Sequence, residues 1–522
     1  MKILIINPIF DLSFWDFSLC KDITGKQFPN PPLALPTLAA MVPDNFDIEL
    51  IDENVEPISF ESDADIVAIT GFIIQKERVF EIADKFRQLG KTICIGGPVV
   101  EDSIIDECQQ HADHVFQGEA EYTWPAFFKD LSQNDEKSLY IENERINMHD
   151  SPLPRFDLLK IDRYATAIIE TSRGCPYSCE FCEIPARLGK KSRTKTVEQV
   201  MAEVKSLVNL GVDSIMFIDD HFVGSKRHTK KLLHELIDYV ESINYAVNFS
   251  VQFTINLSKD DELLELFYRA NFTRVFIGLE TSRENSLKLA QKKQNTNIDL
   301  IEAVHKVQSY NIMVWAGLIV GFDGDDETVF DEQLEFIQAA GVTVAMIGIL
   351  QAIPGTALYE RLEKANRIKR DSTSGIRGTQ NDLIYSNVIP EGMTPRALAT
   401  GYQQLVAQAY TEENFAKRVI TAIKSTIKPV HRKAKPISAE DKQVLLKTLK
   451  YFFSLRHPKR MWMFLKVVGY TLVNKPSHLE TAFIHLVAHK HFQQFYQIVA
   501  NLPFQEPDII SVVDLSSNEQ AA

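Results

Sequence analysis

The sequence predicts an α/β protein in three parts: a doubly wound parallel sheet, a partial (β/α)6 barrel, and a mainly α-helical C-terminal region. Three observations carry this. Apolar, strand-like runs alternate with helix-period segments through residues 1–131, and again through 163–370. A polar, proline-containing stretch, 132–162, parts the two series and reads as a linker. From 371 to 522 the alternation gives way to long helical runs.

The 522 residues exceed one compact core, so about two to four domains are expected. Apolar residues at 45% and charged residues at 24% are ordinary for a globular protein. A net charge of −14 argues against a general nucleic-acid binder and leaves room for a local basic patch. The opening MKILIINPIF reads as a first strand, not as an export signal. No run of about 18 apolar residues reads as a membrane span.

In the first part the strands are expected in KILIINP, FDIELIDEN, ADIVAITGF, KTICIGGP and HVFQGEAE. KERVFEIADKFRQLG between them has apolar residues at helix spacing and a glycine stop. This rhythm gives a doubly wound, Rossmann-like sheet with its ligand site at the strand C-termini. SPLPRFDLLKID closes the linker. The second series is expected in ATAIIETS, SIMFIDD, NFSVQFT, RVFIGLET, MVWAGLIVGF and VAMIGILQ. Six β/α units make a partial parallel barrel, with chemistry at the strand C-terminal ends. A polar loop, DSTSGIRGTQND, opens the third part, and LSSNEQAA reads as a frayed end.

Six cysteines in this length are no disulfide scaffold. Cys20, Cys94 and Cys108 are scattered and read as buried thiols. Cys175, Cys179 and Cys182 form C-x-x-x-C-x-x-C directly after a strand, the pattern of metal binding in a reducing cytoplasm. Three thiolates on one loop can ligate three irons of a [4Fe–4S] cubane and leave the fourth open. The bland alternative is structural zinc, which wants a fourth Cys or His near a second knuckle; no such pair is visible.

This motif, with Phe181 before the last cysteine, resembles the radical S-adenosylmethionine (SAM) superfamily. The likeness implies that SAM chelates the open iron and is cleaved reductively to a 5′-deoxyadenosyl radical. It extends over about 200 residues. FIDDHF, 217–222, looks like the strand end that holds the SAM amino group, with Asp219 or Asp220 as acceptor. GLET, 278–281, offers Glu280 to the ribose or methionyl part. GLIVGF, 317–322, resembles the glycine motif beside the adenine, with Ile319 stacking and Gly321 allowing close approach. LQAIPGTALYERL, 350–362, resembles the recurrent sixth-strand turn. Each alone is weak; in this order after the cysteines they reinforce one another.

The domain ahead of the barrel resembles the cobalamin-binding domain of cobalamin-dependent radical SAM enzymes. That likeness assigns to cobalamin the strand ends Asn7, Thr70 with Gly71, Gly96 with Gly97, and Gly118 with Glu119. A D-x-H-x-x-G loop is missing: 9–30 has no histidine and the first in the chain is His111. Histidine ligation of cobalt is therefore not expected. The alternative is an α/β domain that binds no corrin.

Residues 417–435 carry seven Lys or Arg and no acid, and RHPKRMWMFLKVVGYTLV sets basic residues beside an aromatic run. Two readings stand: peripheral contact with anionic lipid at the inner face of the membrane, through Trp462 and Phe464, or a helix docked on the barrel with a solvated basic face. The three-part layout resembles the branch that contains bacterial hopanoid methylases. It implies a C-methyltransferase in which one SAM methylates cobalamin and a second supplies the radical. The substrate would be a small molecule or a polycyclic lipid, and the electron donor a reduced flavodoxin or ferredoxin. The same residues also allow a radical SAM oxidoreductase, cyclase or rearrangement enzyme, or a non-catalytic Fe–S carrier. His221 is a further pocket candidate.

Overall fold

The computed structural model describes residues 1–243, 246–369, 383–428 and 438–504. The loop DSTSGIRGTQND, residues 429–435 of the basic stretch, and LSSNEQAA lie outside these described residues.

The first part is a six-stranded, wholly parallel sheet. Its strands are β1 (Lys2–Asn7), β2 (Asp47–Asp52), β3 (Ile66–Thr70), β4 (Thr92–Gly96), β5 (His114–Gln117) and β6 (Leu139–Ile141), in the order β2-β1-β3-β4-β5-β6. Ile3 to Ile6 are fully buried because helices cover both faces, which is why the strand reads as a continuous apolar run and not as an alternating one. Helix α1 (Lys76–Gln88) lays Val79, Ile82, Ala83 and Phe86 on one face. The strand order reverses between β1 and β3, which opens a crevice at their C-terminal ends. Two details differ from expectation. Residues 139–141, inside the stretch read as linker, pair with β5 as a sixth strand too short to leave a periodic signal. In HVFQGEAE the strand stops at Gln117, and helix α2 (Ala120–Leu131) begins almost at once.

The second part is also a six-stranded parallel sheet, with its strands in sequence order. They are β7 (Ala167–Ile169), β8 (Ser214–Phe217), β9 (Asn248–Gln252), β10 (Phe272–Glu280), β11 (Met313–Val320) and β12 (Val344–Ile349). This is the expected partial (β/α)6 barrel.

The C-terminal region packs α3 (Pro395–Ala409), α4 (Glu412–Ser425), α5 (Ala439–Phe452), α6 (Pro458–Asn474) and α7 (Leu479–Ala500) beside the last strand. An edge strand exposes unpaired N–H and C=O groups, and here tyrosines satisfy them. Tyr410 takes the Ala345 N–H and donates to the Ala345 carbonyl, both at 2.9 Å. The Ile347 N–H reaches the Tyr496 hydroxyl at 2.9 Å, and Tyr402 donates to the Ile347 carbonyl at 3.0 Å. The loop after β1 also crosses to the barrel: Phe17 stacks on Trp315 and on His491 of α7.

Replacing Tyr410 by Phe strands the buried Ala345 N–H and leaves its carbonyl only the Tyr496 hydroxyl at 3.5 Å, and a loss of about 1–3 kcal/mol is expected. Urea unfolding checks it; an unchanged midpoint would mean that water, not Tyr410, serves this edge.

Candidate functional site

The cysteine loop leaves the barrel sheet just beyond β7. Ser172–Arg173 pairs antiparallel with Arg193–Thr194, so the segment between them is a closed excursion. At its neck Gly174 has φ +89°, and a Cβ there would stand 2.6 Å from the Lys191 carbonyl oxygen; only glycine fits. Cys175 and Cys182 donate their backbone N–H to Gly189 and Cys179 at 3.2 Å each, and Arg361 grips Glu180 at 2.7 and 3.0 Å. The three thiols are half-buried, and Gln294 Nε2 donates to Cys179 Sγ at 3.2 Å. Burial raises the Cys175 thiol and pushes Cys182 up to about 12, with the Lys292 ammonium acting in the opposite sense on both. Among the described residues no three His, Cys, Asp or Glu side chains are grouped to share one ion. A cubane asks for something else, one thiolate per iron, and three thiols on one short loop meet that demand.

The structure separates the two candidate aspartates. Asp219 is fully buried and accepts from the Thr171 hydroxyl and N–H and from the Ser172 hydroxyl, both hydroxyls at 2.6 Å. It locks β8 to the neck of the cysteine loop, chiefly through Oδ1. Asp220 accepts one bond, from the Gly174 N–H at 2.9 Å, and stands beside Cys175. Burial raises both carboxyls to about 6.

Glu280 ends β10 in a left-handed backbone, φ +63°, rare for a residue with a Cβ and a sign of stored strain. Its Oε1 pairs with Lys292 Nζ at 2.6 Å. The Asn295 amide holds the Gly278 and Leu279 carbonyls, and Gln333 holds that of Glu280, so three amide bonds fix the kink. Gly321, φ +97°, gives its N–H to Asp325 at 3.0 Å. Phe181 packs with Ile319 and Phe322, its ring 5.6 Å from that of Phe322. His221 sits at the same strand end, 5.2 Å from Tyr177 of the cysteine loop; burial holds it down to about 4, so it is neutral.

On the other side lies a mostly apolar cavity of about 480 Å3, within the usual range of about 300–1,000 Å3 for ligand pockets. All seven residues assigned to cobalamin line it: Asn7, Thr70, Gly71, Gly96, Gly97, Gly118 and Glu119. So do Ile168, Glu170 and Ile218 of the barrel sheet, and Arg173 and Leu188 of the cysteine loop. The Thr70 hydroxyl has no hydrogen-bond partner among the described residues. No histidine is among the lining residues. Gly97 needs its φ of +86°, and a Cβ there would strike Thr70 Oγ1 at 2.5 Å; its smallness serves strand-end packing as much as ligand clearance.

Sequence reasoning missed what joins the two halves. Arg173 pairs with Glu119 at 3.0 Å, Glu121 at 2.6 Å and Glu170 at 2.9 Å, while Arg193 reaches both Glu119 oxygens at 2.9 Å. Arg187 adds a bond to the Pro98 carbonyl at 2.7 Å. Glu119 therefore lines the cavity and at the same time clamps the two halves together. Burial alone would raise its carboxyl, but Arg193 and Arg173 hold it down to about 2. Neighbouring Glu142 is raised to about 7 by burial and by Glu119. The available signal was an arginine on each flank of the loop, one before and one after the three cysteines.

A family profile, the radical SAM superfamily, matches residues 169–349, and a domain of unknown function (DUF4070) matches 356–502. An uncharacterized methyltransferase of Synechocystis sp. is 34% identical over 394 residues, 75% of this chain and 73% of that protein. The hopanoid C-2 methylase of Rhodopseudomonas palustris is 28% identical over 444 residues, 82% and 83% of the two chains. Among solved structures, the fold is like that of the cobalamin-dependent SAM radical enzyme OxsB, with TM-score 0.59 and 18% identity over 96% of this chain and 84% of that one. The radical SAM methyltransferase TsrM of Kitasatospora setae gives TM-score 0.56 and 16% identity, covering 70% and 78%.

The depressed Glu119 carboxyl stabilises the clamp above the ordinary Glu value of 4.5, and that contribution is lost as pH falls from 4.5 through 2. At neutral pH, Arg193→Met leaves part of a buried carboxylate pair uncompensated, for a loss of about 3–5 kcal/mol. Limited proteolysis within 132–162 reads the loosened junction; equal cleavage of variant and parent would refute the clamp.

Proposed function

This chain belongs to the cobalamin-dependent radical SAM family, and we propose that it is a C-methyltransferase acting on an unactivated carbon of a polycyclic lipid such as a hopanoid. One observation carries the reading. The loop with the three cysteines forms part of the wall of the large cavity, so a cluster site and a corrin site share one protein wall. Cys175, Cys179 and Cys182 hold the cluster; Asp220, Glu280, Ile319 and Phe181 are the SAM contacts; the cavity takes cobalamin. When bound, these groups supply a 5′-deoxyadenosyl radical that removes a hydrogen atom and a methyl group that replaces it.

The chain's own residues position and shield. Lys292 keeps Glu280 oriented, and Gln294 touches Cys179. The apolar set Phe181, Ile319, Phe322 and Leu350 keeps water from the radical. Among the described residues no histidine lines the cavity, so a bound cobalamin would be held by the strand-end side chains and backbone that do. A reduced flavodoxin or ferredoxin is the electron donor of this reading.

A lipid substrate agrees with the outer surface of the C-terminal helices. Among the described residues no helix is long and apolar enough to cross a membrane. Residues 442–475 nevertheless carry eight Lys or Arg and no acid. α6 docks through Met463, Phe464 and Val467, yet Trp462, Leu465, Leu472 and Val473 form a second, outward apolar stripe. Leu455 is 89% and Val473 83% exposed. Apolar side chains amid lysines suit the headgroup region of an anionic membrane.

After anaerobic reconstitution and reduction, the protein is expected to make 5′-deoxyadenosine and S-adenosylhomocysteine together, and Cys179→Ala to make neither. 5′-Deoxyadenosine alone would favour a radical enzyme without methyl transfer, and intact SAM would leave only an Fe–S carrier. On phosphatidylglycerol vesicles, Leu455→Asp with Val473→Asp is expected to weaken binding at least tenfold, and salt to weaken it further. Absence of parent protein from the vesicle pellet would exclude the membrane contact.

A further inference from the structure

The barrel interior holds a second feature, away from the cofactor end. Along β10 and β11 the residues under the helices are sealed: Val275, Ile277, Val314, Ala316 and Leu318 are at most 1% exposed. Their inward neighbours Arg274, Phe276, Gly278, Trp315, Gly317 and Ile319 all keep accessible surface. A closed (β/α)8 barrel fills its interior with side chains; here the inward row along β10 and β11 is only partly covered. Gly317 faces the Phe276 ring, where a Cβ would stand 3.0 Å away, so the glycine lets that ring lie flat against the neighbouring strand. Trp15, from the loop after β1, packs on Phe276 at 5.2 Å with half of its surface uncovered.

Arg274 lies six residues before Glu280 on the same strand, about 20 Å from it at the usual rise. Its guanidinium stands 4.4 Å from the Trp315 ring and touches Ser250 Oγ at 3.3 Å. It has no carboxylate partner among the described residues, and burial lowers it to about 10. Two more groups there lack partners: buried Trp315 Nε1, and Nδ1 of His485 on α7. His485 is held down to about 3 by burial and then by Arg274, so its ring is neutral. A largely buried cation without an anion costs several kcal/mol, and two unpartnered polar groups, Trp315 Nε1 and His485 Nδ1, belong to its neighbours.

We propose that Arg274, with Trp315 Nε1 and His485, is the recognition site for an oxyanion at one end of an elongated substrate. The apolar body of that substrate lies against Phe276, Trp315 and Trp15, and its reacting carbon reaches the Glu280 end of the strand. This rests on the methyltransferase reading and deepens it: the substrate is an amphiphile ending in a carboxylate or phosphate, not a bare hydrocarbon.

Equilibrium dialysis of the reconstituted full-length protein tests it with three probes of one triterpenoid skeleton: a carboxylate, a phosphate monoester and the neutral alcohol. At least one anion is expected to bind ten times more tightly than the alcohol, and which one identifies the group. Arg274→Gln is expected to erase that preference and keep the alcohol's affinity, with Arg274→Lys restoring part of it. Because the substitution removes an unpaired buried charge, the thermal midpoint of Arg274→Gln is expected to hold or rise. Equal binding of all three probes by the parent would overturn the assignment, as would a fallen midpoint with the preference intact. SAM cleavage by the parent is scored separately, so loss of the methyltransferase reading shows there and not in the dialysis.

Discussion

The structure depends on a small set of buried charges at the junction of its two sheets. Arg173 and Arg193 flank the cysteine loop, and Glu119, Glu121 and Glu170 receive them from both domains. Ions taken out of water need near-complete pairing, and a planar guanidinium can bond several carboxylates at once. The geometry of the loop is therefore fixed by the fifth strand end of the first domain as much as by its own barrel. The clamp thereby fixes the spacing of the cysteine loop and the cavity, and small misplacements at a reacting centre carry large rate penalties.

Incomplete closure of the barrel has two consequences, one at its edge and one inside. At the edge, β12 has no further strand, and Tyr402, Tyr410 and Tyr496 supply the missing hydrogen bonds from the C-terminal helices. The helical region is thus the sheet's last neighbour and not an independent appendage. Inside, Trp15 from the loop after β1 packs on Phe276 of β10, and Phe17 stacks on His491 of α7.

Polar groups near the cofactor end differ in how many bonds the fold asks of them. Asp219 is tied to Thr171 and Ser172, and Glu119 to two arginines. Asp220 keeps an oxygen available, and Glu280 is held in a strained left-handed backbone by three amide bonds. Strain maintained by surrounding hydrogen bonds marks a position where side-chain direction matters more than backbone comfort.

Most of the architecture was legible in the sequence, because parallel strands buried on both faces write themselves as apolar runs and their helices as a 3.6-residue period. The cysteine spacing and the ordered glycine and acidic motifs named the chemistry, and the strand-end residues assigned to the corrin all line one cavity. β6 escaped because three residues carry no period. The choice between Asp219 and Asp220 escaped because adjacent, identical residues differ only in which partners the fold brings to them. The clamp, the tyrosine-sealed edge and Arg274 lay beyond the sequence for the same reason: each joins groups dozens of residues apart or more, and only tertiary packing decides whether a charge or a hydroxyl meets its partner or is left to face a ligand.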